Sequence, residues 1–280
     1  VSFTGSMAPT FNSPTGQILP ALDTVTLERD GHVLLIGLNR AHKRNSFDRA
    51  MLADLSRAYA LLESDESLRA GVLFAHGDHF TAGLDLADVG PGIASGENPF
   101  PDDGRDPWRL DGAWTTPLVA AAHGRCMTLG IELLLAADIR VAAADTRFTQ
   151  LEVRRGMYPF GGATIRLPRA AGWGNAMRWL LTGDEFDAAE AHRIGLVQEV
   201  ADDAAAALAR ARDIAHTIAE RAAPLGVRAT LASAQLARVE GEAAAIERLR
   251  PVVTELFASA DAAEGVQSFI ERRDAHFVGR

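Results

Sequence analysis

Gly130-Ile131-Glu132-Leu133-Leu134-Leu135-Ala136-Ala137-Asp138, followed at once by Ile139-Arg140-Val141-Ala142, is the stretch on which the reading of this chain turns. The first nine residues read as a short apolar helix and the next four as the strand that it feeds. Glu132 stands among Ile131, Leu133, Leu134 and Leu135, which leaves its carboxylate few ways to stay hydrated. Burial would raise its pKa, as a general acid or base working near neutrality requires. Taken alone, an exposed place on the helix surface is the better reading for Glu132.

Working outward, Glu152 follows twenty positions later between Leu151 and Val153, a second carboxylate in apolar company. Upstream, Phe80-Thr81-Ala82-Gly83-Leu84-Asp85-Leu86 comes directly after Gly71 to Ala75, a continuous apolar run that reads, like Leu118 to Ala122, as a buried strand. Thr24 to Glu28 and His32 to Leu38 flank Asp30-Gly31, a two-residue hairpin signal. From Asp48 to Glu63 the apolar positions Met51, Leu52, Leu55, Tyr59 and Leu62 recur at three- and four-residue steps, which predicts an amphipathic helix. Asp88 to Trp114, dense in Gly, Pro and Asp but carrying Phe100, Trp108 and Trp114, reads as a long loop that serves as a lid over a ligand. Beyond Ala201 the strand signals stop, and helices are expected over Ala204 to Ala222, Leu225 to Val239, Ala243 to Ser259 and Asp261 to Phe277, with Pro224 and Pro251 as helix starts. The expected organisation is a disordered lead over 1–21, an α/β part over 22–200 and an all-helical part over 201–280. Within the lead, Gly5-Ser6-Met7 reads as a cloning scar or a native extension.

Composition narrows the function. The 280 residues are 48% hydrophobic and 23% charged, which is globular. A net charge of -9 with no basic block disfavours nucleic acid as a partner. The single cysteine, Cys126, can form neither an internal disulfide nor a zinc cluster, and no apolar run approaches the ~20 residues needed to span a bilayer. With no secretory signal readable, the cytosol is the expected compartment. Dinucleotide, P-loop, zincin and nucleophile-elbow motifs are missing from the sequence. His76, Asp78 and His79 flank Gly77 and read as solvated turn residues rather than metal ligands, so no metal site is expected.

In combination these segments resemble the crotonase, or enoyl-CoA hydratase/isomerase, superfamily. Leu38-Asn39-Arg40-Ala41-His42-Lys43-Arg44-Asn45-Ser46 is similar to the family's opening motif, Phe80 to Leu86 to its F-S-A-G-x-D-L, and Gly130 to Arg140 to its G-C-E-L and C-D-I-R. Phe148-Thr149-Gln150-Leu151-Glu152 is similar to F-G-Q-P-E, and Leu181-Thr182-Gly183, Ala189-Glu190-Ala191 and Gly195-Leu196-Val197 follow in order. The resemblance implies an α/β spiral of β-β-α turns with a C-terminal helical region that builds trimers or hexamers. It also implies an acyl-CoA thioester as substrate, with no cofactor beyond the coenzyme A that the substrate carries.

Residue by residue, the resemblance makes Glu132 and Glu152 the catalytic pair, Glu132 holding and activating water and Glu152 delivering a proton at Cα. It makes the backbone N–H groups of Ala82 and Leu129 the oxyanion hole, and places Ala82, Gly83, Leu84, Asp85 and Gly130 against the substrate. Lys43, Arg44 and Arg272, the last in the final helix, are candidates for the CoA phosphates or adenine. Two carboxylates together favour hydration of a trans-2-enoyl-CoA; a double-bond isomerase, a CoA-ester hydrolase and a non-catalytic binding protein are the alternatives. An RNA-binding variant is disfavoured because Asp48, Asp54 and Glu63 accompany Arg49 and Arg57 on the first helix. The chain departs from the family pattern at Thr128-Leu129-Gly130, where a Gly-rich run is usual, and at Gly156 to Gly162, which is shorter and carries Phe160. At Asp88 an acid replaces a Lys often found there.

Overall fold

The computed structural model describes residues 19–280. Gly5-Ser6-Met7 and the rest of 1–18 lie outside the described residues. The expected lead ends sooner than residue 21, because Leu19 already packs against the main core.

The chain winds as a spiral in which a turn contributes one strand to a large sheet and a short one to a small sheet. β1 (Val25–Asp30), β2 (Val33–Leu38), β3 (Ala70–Ala75), β4 (Leu118–Ala122), β6 (Ile139–Ala143) and β9 (Glu199–Ala201) form the large sheet in the order β1-β2-β3-β4-β6-β9. It is parallel except for the β1–β2 hairpin. The small sheet is β5 (Arg125–Met127), β7 (Arg147–Thr149) and β8 (Phe186–Asp187), extended by the bridges Thr81↔Cys126 and Phe47↔Leu84. The hairpin turns one residue later than Asp30-Gly31 suggested: Asp30 pairs with Val33, and Gly31, at φ 60°, and His32 make the loop.

Alternation along the strands creates two cores. Leu34, Ile36 and Leu38 face inward with α1 (Arg49–Ser64) and α3 (Leu129–Ala136), while Val33, Leu35, Val72 and Val141 face α7 (Ala204–His216). α7 meets the sheet through Ala207, Ala211 and Ala215, four residues apart on one face, and a widened turn, Thr217–Arg221, adds Ala219. Its packing therefore makes α7 part of the sheet region, with α8 (Pro224–Glu240), α9 (Glu242–Phe257) and α10 (Ala260–Glu271) beyond it.

Three expectations change. The stretch from Asp88 begins inside a helix, α2 (Leu86–Ser95), which runs through Gly90-Pro91-Gly92. Pro224 opens α8 as expected, but Pro251 sits inside α9. α10 ends at Glu271, so Arg272 is not in the last helix but its exposed left-handed cap, at φ 56°. No helix among the described residues is long and apolar enough to cross a membrane.

Close approach of α7 predicts that Ala211→Leu destabilises the protein by ~1–3 kcal/mol through overpacking. Ala209→Leu, on the exposed face of the same helix, should stay within about 0.5 kcal/mol. Urea unfolding of the two variants beside the parent checks the contrast.

Candidate active site

β5 and β7 are parallel neighbours with Met127 opposite Thr149, and the Thr128 N–H donates to Thr149 O at 2.8 Å. Both strands therefore end at the same level. From one end the chain enters α3, which carries Glu132 in its first turn; from the other it enters a 3-10 turn, Glu152–Arg155. Every residue of α3 is buried, so Glu132, 2% exposed, has no solvent face to occupy. Glu152 is 7% exposed.

Burial pushes the Glu132 carboxyl up to about 7, against the pull of the Ala163 and Gly161 N–H groups and with help from the charge of Glu152. The Ala163 N–H donates to Glu132 Oε1 at 3.2 Å, so this carboxyl sits at the N-terminus of α4 (Ala163–Ala171). Burial likewise pushes Glu152 up to about 7, and its Oε2 is buried with no partner among the described residues. Two buried carboxyls that each hold a proton more tightly than an ordinary glutamate thus stand at adjoining strand ends.

The turn after Phe80 is pinned by its own backbone. The Thr81 N–H donates to Arg125 O at 3.0 Å, Ala82 N–H to Arg44 O at 2.9 Å, and Asp85 N–H to Phe47 O at 2.8 Å. The Gly83 N–H donates to Thr81 Oγ1 at 3.1 Å. The Ala82 N–H, aligned by resemblance with an oxyanion donor, is thus already engaged. The donor on this turn without an acceptor among the described residues is the Leu84 N–H. Gly83, at φ 97°, lies so close to α3 that a Cβ there would stand 2.2 Å from Thr128 Oγ1. Across that contact the Leu129 N–H opens α3 and also finds no acceptor among the described residues. The Leu129 side chain is buried in the main core. Gly130 is glycine for packing, since a Cβ would meet Thr81 Cγ2 at 2.5 Å.

Leu84 also lines a cavity of about 310 Å³ with Leu52, Val89, Phe100, Trp108 and Phe160. The ring of Trp108 stands edge-on between Phe100, at 5.4 Å, and Phe160, at 5.9 Å, and Trp114 packs on Tyr59 at 5.8 Å. The aromatics of the expected lid therefore pack against one another, Tyr59 and Phe160. Arg166, which the sequence reading missed, straps this segment to α4 by donating to Trp108 O at 2.6 Å and Arg109 O at 2.8 Å. A larger apolar groove of about 760 Å³ lies between α8 and α9, and neither glutamate is among the residues lining either space.

The remaining candidates separate. Asp85 is held by Arg40, Nη2 to Oδ2 3.2 Å, and Asp88 accepts from the Arg49 N–H at 2.8 Å, so both acids are tied to the neighbouring loop and α1. Lys43 and Arg44 are exposed beside the Ala82 turn. Arg272 lines neither cavity. His76 contacts Thr26 Oγ1 at 2.8 Å, and His79 Nδ1 accepts from the Arg125 N–H at 3.3 Å.

The family model described as enoyl-CoA hydratase/isomerase matches residues 28–280. An enoyl-CoA hydratase of Mycobacterium tuberculosis is 33% identical over 262 residues, covering 91% of this chain and 96% of that protein. A crotonyl-CoA hydratase of Syntrophomonas wolfei is 31% identical, covering 93% and 100%. The crystal structure of a probable enoyl-CoA hydratase/isomerase from Mycobacterium abscessus is 56% identical with a TM-score of 0.89, covering 92% of this chain and 99% of that one. The spiral and the matching relatives agree over nearly the whole length, and the chain belongs to the enoyl-CoA hydratase/isomerase family of the crotonase superfamily.

Proposed function

We propose that the protein adds water to trans-2-enoyl-CoA thioesters to give 3-hydroxyacyl-CoA. The observation that carries this reading is the pair of buried glutamates, both raised to about 7, at the adjoining ends of β5 and β7. Hydration needs one carboxyl to take a proton and one to give a proton, and a pair sharing one proton near neutrality supplies both. Ionised Glu132 takes the proton of the attacking water as its oxygen bonds to C3. The C2–C3 π pair moves towards C2 and the thioester oxygen, and protonated Glu152 delivers its proton to C2. The two carboxyls end with their protonation exchanged and reset by one proton transfer. The Leu84 and Leu129 N–H groups receive the developing enolate oxygen, Leu129 with the positive end of the α3 dipole behind it. The acyl chain occupies the cavity under Trp108.

Lys43 and Arg44 are the cations assigned to the CoA phosphates, because the Arg44 carbonyl is bonded to the turn that carries Leu84. Arg272 would reach CoA only from a neighbouring copy. Self-association is supported by the apolar side chains that α8 to α10 leave exposed, among them Val239, Phe257, Phe269 and Ile270. A trimer or hexamer is the assembly proposed, and light scattering showing a monomer at micromolar concentration would contradict it.

Glu132→Gln and Glu152→Gln are each expected to lower turnover of a short enoyl-CoA by ~10²- to 10⁴-fold, followed by loss of the conjugated enone absorbance. Parent-like rates in either variant remove that residue from the chemistry. A double-bond shift without uptake of water would assign the protein to isomerisation instead. Replacing the Leu129 N–H through Leu129→Pro should cost about 2.7–4 kcal/mol of transition-state stabilisation while Leu129→Ala retains much of the activity. Circular dichroism checks that both variants fold.

The same carboxyls predict a stability profile. Each is raised in the folded chain, so between its ordinary 4.5 and about 7 the folded state binds more protons than the unfolded state. Stability therefore falls as pH rises through that window. Glu132→Gln should be ~1–3 kcal/mol more stable than the parent at about pH 8 and lose that advantage at about pH 4, as read by chemical denaturation.

A further inference from the structure

Among the buried polar atoms of the described residues, Trp108 Nε1 has no hydrogen-bond partner, although Trp108 is only 5% exposed. A buried indole N–H without an acceptor is costly, and a native chain normally supplies one. Its surroundings say where the acceptor belongs. A Cβ built at Gly161 would stand 2.6 Å from Trp108 Nε1 and 2.6 Å from Glu132 Oε2. Both atoms thus lie on one side of the same glycine, within roughly twice that distance of each other. Gly161 has no left-handed backbone to explain its lack of a side chain. Its bareness is steric: the Cβ of any larger residue would collide with both the carboxylate and the indole.

Resting on the hydratase reading, we propose that the Trp108 indole N–H is a further catalytic group, donating a hydrogen bond to the oxygen that becomes the 3-hydroxyl. One water oxygen satisfies both neighbours, accepting from the indole and donating to Glu132. The chemistry balances on that atom. One lone pair accepts from Nε1 and the other forms the bond to C3; one proton passes to Glu132 and the other stays on the product hydroxyl. The indole thereby fixes the rotation of the water, so that its free lone pair faces C3 when Glu132 takes the proton. In dehydration the same N–H receives the departing oxygen. The ring is suited to the task because Phe100 and Phe160 hold its faces and edges, and Arg166 holds its carbonyl.

Trp108→Phe keeps an aromatic ring and removes the donor together with the second ring of the indole. Its kcat for hydration should fall about 5- to 10-fold, the worth of one neutral hydrogen bond, with KM within about twofold of the parent. Calorimetric binding separates this role from packing: 3-hydroxybutyryl-CoA should bind about 5- to 10-fold more weakly to the variant, whereas butyryl-CoA, which lacks the 3-oxygen, should bind as to the parent. Equal weakening of both ligands, or of neither, overturns the proposal. If the smaller ring disturbs the fold, benzothienylalanine at position 108, with sulfur in place of N–H, gives the same pair of measurements on an isostere. A parent protein with no hydratase activity would overturn the reading of the reaction, while the two ligands would still decide the role of the indole.

Discussion

The Thr128 N–H to Thr149 O hydrogen bond closes the end of the β5–β7 pair, and the geometry of the site follows from that closure. It aligns two chain exits, one into α3 and one into the turn at Glu152. The spiral then adds the Phe80 turn alongside β5, with Gly83 against Thr128, and brings the Leu84 and Leu129 N–H groups to one side. Side chains separated by tens of residues meet because parallel strands in register release them at the same level.

That arrangement is bought with stability. Two carboxyls are placed in a core whose neighbours are Leu, Ile and Phe, and their ionised forms are disfavoured by burial. The fold offsets part of this for Glu132, whose Oε1 is bonded at the start of α4, and leaves Glu152 Oε2 bare. The unevenness suits the proposed reaction, which asks for one carboxyl kept oriented to receive a proton and one free to present its proton to substrate. The opening of α3 has the same character, with Thr128 at φ 49° and ψ -113° and Leu129 and Gly130 N–H groups that find no acceptor among the described residues.

Much of this was legible in the residues. β2, β3 and β4 of the large sheet are continuous apolar runs, and α1 announces itself through its spacing and the Asp48 cap that accepts from the Met51 N–H at 2.9 Å. Other features were hidden for physical reasons. α2 passes through Gly90-Pro91-Gly92, local breakers overridden by packing of Val89 into the core, and Pro251 is tolerated inside α9. Periodicity could not reveal which N–H of the Phe80 turn lacks an acceptor among the described residues, because Ala82 is claimed by Arg44 O, far earlier in the chain. Nor could it show that α3 is buried on every side, the fact that decides whether Glu132 is a surface charge or a reactive group.

The proposed chemistry depends on the protonation of the two glutamates, and the measurement that reads it directly is a carbon-13 NMR titration of their side-chain carboxyl carbons in the folded protein, with Glu132→Gln and Glu152→Gln used for assignment. Two coupled transitions centred near the value of about 7 to which burial raises both groups are expected, the remaining carboxyl titrating as a single site in either variant. Both carbons titrating near the ordinary 4.5 would contradict the account, because an exposed, fully ionised pair has no proton to give.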